Sequence, residues 1–200
     1  MDLMREFPDK YFDLAIVDPP YGLGETWKKD RFSKFYTHES TYKNDRVPGP
    51  DYFAELFRVS KNQIVWGANY YTQYLPTRNS WIVWDKNRSF DDSHMAEGEL
   101  AWTSFNIPLL IARFTWNGFI RCEARDGNHP YEKPTKLYRW TLEQYAKPSQ
   151  KILDTHLGSG SIAIAAHYFG AHLTACEIDP DYFREASARI LRETAQLAFL

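Results

Sequence analysis

The chain has 200 residues, a formal charge of −2 and a hydrophobic fraction of 44%, enough for one globular domain with a sizeable core. The balanced charge excludes a global basic field, so a nucleic-acid surface must be a local patch. Two unpaired cysteines, Cys122 and Cys176, argue against a disulfide framework or a cysteine zinc site and favour a reducing, cytoplasmic setting. No metal site is expected. Met1 to Lys10 is charged and amphipathic rather than a signal peptide, and no run of about 20 apolar residues is present to span a membrane.

In chain order, Phe12-Asp13-Leu14-Ala15-Ile16-Val17 reads as a buried strand stopped by Asp18-Pro19-Pro20, since proline cannot continue a ladder. Residues 22–50 are polar and glycine- and proline-punctuated, a long loop of the kind that carries function. Phe53, Leu56 and Phe57 have helical spacing over 51–59. Strands are predicted over 63–67, 81–84 and 109–114, with a polar loop over 86–98. Pro134 to Lys147 reads as a helix with proline in its first turn and Pro148 as its stop. Lys151 to Leu153 is a short strand, Ser161 to Phe169 a helix closed by Gly170, and His172 to Ile178 the next strand. Asp179 caps the last helix, Pro180 takes its first position, and Phe183, Ala186 and Ile190 give it an apolar stripe. The central aromatics, among them Trp66, Tyr70, Tyr71, Trp84 and Trp102, are read as core rather than as a base-stacking platform. Strands alternating with helices predict one α/β domain over residues 1–200, doubly wound and Rossmann-like, with a mostly parallel sheet.

Two segments carry chemistry. Asp154-Thr155-His156-Leu157-Gly158-Ser159-Gly160 takes a strand through a Gly-rich turn into a helix, and Glu177 follows at about 20 residues, the usual distance of a ribose-binding acid. Glycines admit a ligand close to the backbone, and a carboxylate accepts hydrogen bonds from ribose hydroxyls. With Ala163 the turn also fits a nicotinamide-binding pattern. Its place near the C-terminus leaves room for only one strand and one long helix, however. The sheet must then be completed by earlier strands, a permuted order that disfavours a dehydrogenase.

The other segment is Asp18-Pro19-Pro20-Tyr21, at a strand end where α/β sheets bind ligands. An aromatic amino group is a poor nucleophile because its lone pair is delocalised into the ring. A carboxylate (Asp18) and a rigidly held carbonyl (Pro19) accepting its two N–H protons would free that pair, and Tyr21 offers a face for a base to stack on. A base in a duplex would have to be flipped out to reach it. Alone, the segment is also an ordinary turn ending a strand; together with the Gly-rich turn and Glu177 it points to methyl transfer.

These residues resemble the amino-methyltransferase family, and their order, catalytic motif first and cofactor loop last, resembles the β-class DNA methyltransferases. Asn128-His129-Pro130-Tyr131-Glu132-Lys133-Pro134 is similar to the segment that precedes the cofactor loop in that class. The resemblance implies S-adenosyl-L-methionine as cofactor and DNA as partner, with a flipped adenine held at N6 by Asp18, Pro19, Pro20 and Tyr21. It implies that Asp154, Gly158, Ser159 and Gly160 border the methionine part of the cofactor, that His156 packs on the cofactor and that Glu177 binds its ribose. Lys133, Pro134 and Thr135 would begin a helix near the cofactor carboxylate, a setting that suits an anion. Aspartate before the prolines resembles the adenine branch more than the cytosine-N4 branch. A second copy of the chain or a cognate restriction enzyme is a further partner the resemblance allows.

The chain departs from the family pattern at Thr155-His156, where proline and phenylalanine are usual, and it starts at about the helix that leads into the catalytic strand. Target recognition falls to residues 22–50, 86–98 and 115–129, with Lys28, Lys29, Arg31, Lys34, Lys43 and Arg46 available to phosphates. The competing readings are a cytosine-N4, RNA or protein-amide methyltransferase, a non-catalytic DNA- or partner-binding domain, and a nicotinamide enzyme. The motif order argues against the protein-amide enzymes.

Overall fold

The computed structural model describes residues 2–23, 45–87, 96–117, 120–124 and 132–195. The strands are β1 (Phe12–Val17), β2 (Ser60–Trp66), β3 (Trp81–Asp85), β4 (Gly98–Thr103), β5 (Leu110–Arg113), β8 (Lys151–Asp154) and β9 (His172–Ala175), in one sheet of order β5-β3-β4-β2-β1-β8-β9. Two-residue strands β6 (Trp116–Asn117) and β7 (Ile120–Arg121) form a separate antiparallel pair. The helices are α1 (Asp2–Arg5), α2 (Pro50–Val59), α3 (Thr135–Tyr145), α4 (Ser161–Phe169) and α5 (Pro180–Ala195). The sheet is mostly parallel, as expected.

β1 is central because both of its faces are apolar. Leu14 and Ile16 face one core with Ile64, Trp66, Leu137, Leu142, Ile152 and Ile162. Ala15 and Val17 face the other, with Met4, Tyr52, Phe53, Leu56 and Val65. α2 therefore covers one face, and α3 and α4 the other. From β1 the chain crosses through α2 to β2 on one side; from β8 it crosses through α4 to β9 on the other. Right-handed crossovers in opposite directions put the helices on opposite faces. The winding thus reverses between neighbours β1 and β8, and the cleft beyond their C-terminal ends is where such sheets bind ligands.

Local chemistry sets the element ends. Pro50 opens α2, which buries Tyr52, Phe53, Leu56 and Val59 at helical spacing. Gly160 and Gly170 flank α4, both at φ 80°, a left-handed conformation that favours glycine. The Asp179 carboxylate accepts the Asp181 and Tyr182 N–H groups and so caps α5.

Several boundaries differ from the sequence reading. β4 is an additional strand: Gly98, expected to end a loop, opens it, and it is antiparallel to both β2 and β3. β9 stops at Ala175 rather than Ile178, because β8 ends opposite it at Asp154 and the backbone turns into the Gly-rich loop. Pro134 is the N-cap of α3 rather than part of its first turn. On α5 the buried side chains are Tyr182, Ala186 and Arg189, while Phe183 is 51% exposed. Trp66, Trp84, Trp102 and Tyr71 are fully buried as core, whereas Tyr70, also expected there, is exposed. Most of the expected recognition loops, with Lys28, Lys29, Arg31, Lys34 and Lys43, lie outside the described residues, as do Asn128 to Tyr131.

Candidate active site

Asp18 leaves the end of β1 into a cluster of alternating charge. Its Oδ1 accepts the Tyr21 hydroxyl at 2.7 Å and its Oδ2 accepts the Lys133 ammonium. Lys133 Nζ also lies 3.0 Å from Glu99 Oε2, and Glu99 Oε1 lies 2.7 Å from Lys86 Nζ. β4 runs against its neighbours, so its first residues reach the edge where the parallel strands end; Glu99 pairs in register with Trp84, just before Lys86. Burial pushes the Asp18 carboxyl up, with Lys133 opposing and Glu99 adding to the shift. Burial alone would raise Glu99 too, but Lys133 and Lys86 outweigh it and hold that carboxyl down at about 2. Burial alone would lower Lys133, but Asp18 and Glu99 outweigh it and keep the ammonium above its ordinary range.

The rest of the motif is packed from behind. The Tyr71 hydroxyl lies 2.6 Å from the Pro19 carbonyl and 2.7 Å from that of Pro20, sharing its proton between them. The expected acceptor at Pro19 therefore already has a donor. The Tyr21 ring stacks on Tyr70, with centroids 4.9 Å apart and 16° between the planes. Its edge also lies against Gly67, where an added Cβ would fall 2.0 Å from Tyr21 Cε1.

Across the switch point, the buried Asp154 accepts the His156 N–H at 2.9 Å. Burial, with Asp18 and Glu177 adding, raises Asp154 to about 8 against the pull of the His156 N–H. Burial lowers His156 to about 4, so its ring is neutral. A hydrogen-bonded series runs Tyr52 Oη–Thr155 Oγ1 (2.7 Å)–His156 Nδ1 (2.9 Å). Glu177 accepts the Gly158 N–H at 2.8 Å and the Asp179 N–H at 3.0 Å, tying the Gly-rich turn to the end of β9. Arg189 of α5 reaches under the same turn to the Ser159 carbonyl and Ser161 Oγ, both at 3.0 Å, and pairs with the buried Glu132 at 3.2 Å.

The structure thus brings the proline motif, Lys133, Asp154 and the Gly-rich turn to one edge of the sheet. Lys133 stands just before the Pro134 N-cap of α3 and turns its ammonium to Asp18. The N-terminus of α3 is occupied by Glu123, which accepts the Thr135 and Lys136 N–H groups at 2.5 and 3.1 Å. Sequence reasoning missed Glu99, Lys86, Gly67, Tyr52 and Arg189 as parts of the site. It noted Tyr70 and Tyr71 only as aromatics.

Fold and site together define an α/β domain of the S-adenosylmethionine-dependent methyltransferase type. A DNA modification methylase from Thermus thermophilus, solved with S-adenosyl-L-methionine, superposes with TM-score 0.59 at 15% identity, over 96% of this chain and 92% of that one. The PvuII cytosine-N4-specific DNA methyltransferase superposes with TM-score 0.61 at 15% identity, over 96% and 86%. The chain belongs to the DNA methylase family, whose model (N6_N4_Mtase) matches residues 40–188. A ribosomal protein L11 methyltransferase of Thermus thermophilus is 31% identical over 99 residues, 50% of this chain and 35% of that protein. The matched stretches span 35% and 19% of the curated relatives they come from.

Proposed function

We propose that the chain methylates an exocyclic amino nitrogen of DNA, adenine N6, with S-adenosyl-L-methionine as donor. One observation carries the reading: Asp18 and the Gly158–Gly160 turn follow the C-terminal ends of adjacent parallel strands β1 and β8, the sheet edge at which such folds bind ligands. The residues present fit the cofactor. Gly158 and Gly160, at φ 53° and 80°, give the turn its left-handed backbone, and a Cβ at Gly160 would press on Ile190 and Ala186 of α5 at 3.1 and 3.4 Å, so that glycine seats the turn on the helix. Glu177 sits beside that turn with the acceptor chemistry a ribose needs, and Ile178, 78% exposed next to it, offers an apolar cover for a purine. When bound, the cofactor supplies an electrophilic methyl group on a sulfonium.

Asp18 acts on the acceptor. Its carboxylate takes one N–H of the amino group and draws the nitrogen toward pyramidal geometry, which returns the lone pair. The tyrosines fix Asp18 and the proline carbonyls and so would hold the nitrogen in one orientation, a positioning effect worth several orders of magnitude in rate. On methylation the nitrogen would give up one proton, and the Asp18 carboxylate is the group placed to take it. The target base must leave its stack to reach this cleft. Aspartate before the prolines supports adenine over cytosine.

The test is transfer from tritiated S-adenosyl-L-methionine to duplex DNA, followed by nucleoside analysis. Label is expected in N6-methyladenine, and Asp18→Ala should abolish it while keeping the fold and cofactor binding. Label in N4-methylcytosine, or in ribosomal protein offered instead, would redirect the reading to that acceptor. No label in any of them, with cofactor binding intact, would leave a binding domain.

A further inference from the structure

Behind Asp18 stand two charges with no part in the transfer just described. Lys133 is buried, its side chain 3% exposed. All three of its N–H directions are used, by Asp18 Oδ2, by Glu99 Oε2 at 3.0 Å and by Tyr21 Oη at 3.1 Å. The ammonium also stands 5.6 Å from the ring centroids of both Tyr21 and Trp66, positions that favour a cation. A buried ammonium is expensive, and an apolar residue of similar volume is often no less stable. A lysine whose partners converge on the one carboxylate at the end of β1 is therefore better explained by that carboxylate than by the fold. Tyr21 Oη lies between two acceptors, Asp18 Oδ1 at 2.7 Å and Glu99 Oε2 at 3.3 Å. A small rotation would pass its proton from one to the other.

We propose that Lys133 and Glu99 are positioning residues for Asp18. Lys133 fixes the carboxylate through Oδ2, and Glu99 anchors Lys133 and receives the Tyr21 hydroxyl when the target amino group takes Oδ1. This rests on the methyl-transfer reading for its purpose, but the coupling among the three residues is measurable without turnover. The titratable groups facing Asp18 are Lys133 before α3, Tyr138 on α3, Glu99 on β4, Tyr21 after β1, Tyr71 after β2, Tyr52 on α2 and Asp154 on β8. Lys86 reaches Glu99 from the other side. The tyrosines are pushed up by burial and Asp154 is held at about 8. Near neutral pH the charges acting directly on Asp18 are therefore mainly the Lys133 ammonium and the Glu99 carboxylate.

The experiment follows the Asp18 carboxyl by carbon NMR in protein labelled at aspartate side chains, with Asp18→Asn to assign the signal. Lys133→Met should raise its titration midpoint by about 1 unit or more, the effect of losing an adjacent cation. Glu99→Gln should lower it, the opposite sign. In parallel, single-turnover transfer to DNA should fall about 100-fold in Glu99→Ala, as for a misplacement of about 1 Å. Glu99→Gln should recover most of that loss, because its amide oxygen still accepts from Tyr21. Cofactor affinity should be unchanged in both. An Asp18 midpoint that does not move, or a Glu99→Ala rate equal to wild type, overturns the proposal. If Lys133→Met fails to fold, the direction of the Glu99→Gln shift decides. A moved midpoint in a protein that methylates nothing refutes the proposed function and leaves the coupling standing; an active protein with an unmoved midpoint does the reverse.

Discussion

Gly67 shows how much of the site depends on single atoms. It has φ 65°, and a Cβ there would fall 2.0 Å from Tyr21 Cε1 and 2.6 Å from Cδ1 and Cζ. The ring cannot give way easily, because it is stacked on Tyr70. Gly67→Ala is therefore expected to force Tyr21 off its place beside Asp18. It should cost about 1–2 kcal/mol for a non-glycine residue in the left-handed region and about 100-fold in methyl transfer through misplacement. Thermal unfolding and a single-turnover assay check this; a wild-type transfer rate would show that the ring's position is immaterial. Nothing in the sequence marks Gly67 this way, since it follows an apolar run and reads as an ordinary strand end. Asp18 to Tyr21 are legible because proline and aspartate at a strand end are locally unusual. The hydroxyl and ammonium that hold them come from residues 51 to 115 positions away and leave no local trace.

At the level of elements, β1, β3, α2, α4 and the cap of α5 follow from the sequence, because each has its own periodicity or its own terminating residue. β4 does not: its pairing with β2 and β3 and its reversed direction are long-range properties, and Glu99 went unread with it. The turn after β8 has a consequence in pH. Asp154 is raised from its ordinary 3.8 to about 8, so the folded chain holds a proton that the unfolded chain releases between those values. Stability from this group is lost as pH rises through that window. His156 is lowered from 6.5 to about 4, so the unfolded chain binds the extra proton and stability is lost as pH falls from 6.5 to 4. The two oppose each other between pH 4 and 6.5, and only the Asp154 loss remains up to about 8. Asp154→Asn, which keeps an oxygen for the His156 N–H, should remove the decline above pH 6.5 and expose a rise below it. Unfolding midpoints of both proteins from pH 4 to 9 test this, and parallel curves would mean that Asp154 is ionised in the folded state.

For the whole molecule, the sheet is built mainly of strands that precede the Gly-rich turn, with β9 after it. That order makes β1 and β8 neighbours and joins the two motifs, 140 residues apart in the chain, at one switch point. Target recognition is far less legible, since its candidate segments have neither periodicity nor a distinctive charge pattern. The division of the cleft predicts how ligands act on the intact fold. A cofactor that binds the folded chain alone stabilises it by about 2.7 kcal/mol at about 100 times its Kd. For a chain of this size that is a rise of about 5–11 °C in Tm. S-adenosyl-L-methionine should produce that rise and NADH should not. Asp18→Ala should keep it, because Asp18 serves the acceptor side. Glu177→Ala should lose it along with the ribose contact, although that change also frees the Gly158 N–H, so the variant's own Tm is the baseline. A rise with NADH alone would return the Gly-rich turn to a nicotinamide enzyme, and a rise that depended on Asp18 would move that residue to the cofactor side of the cleft.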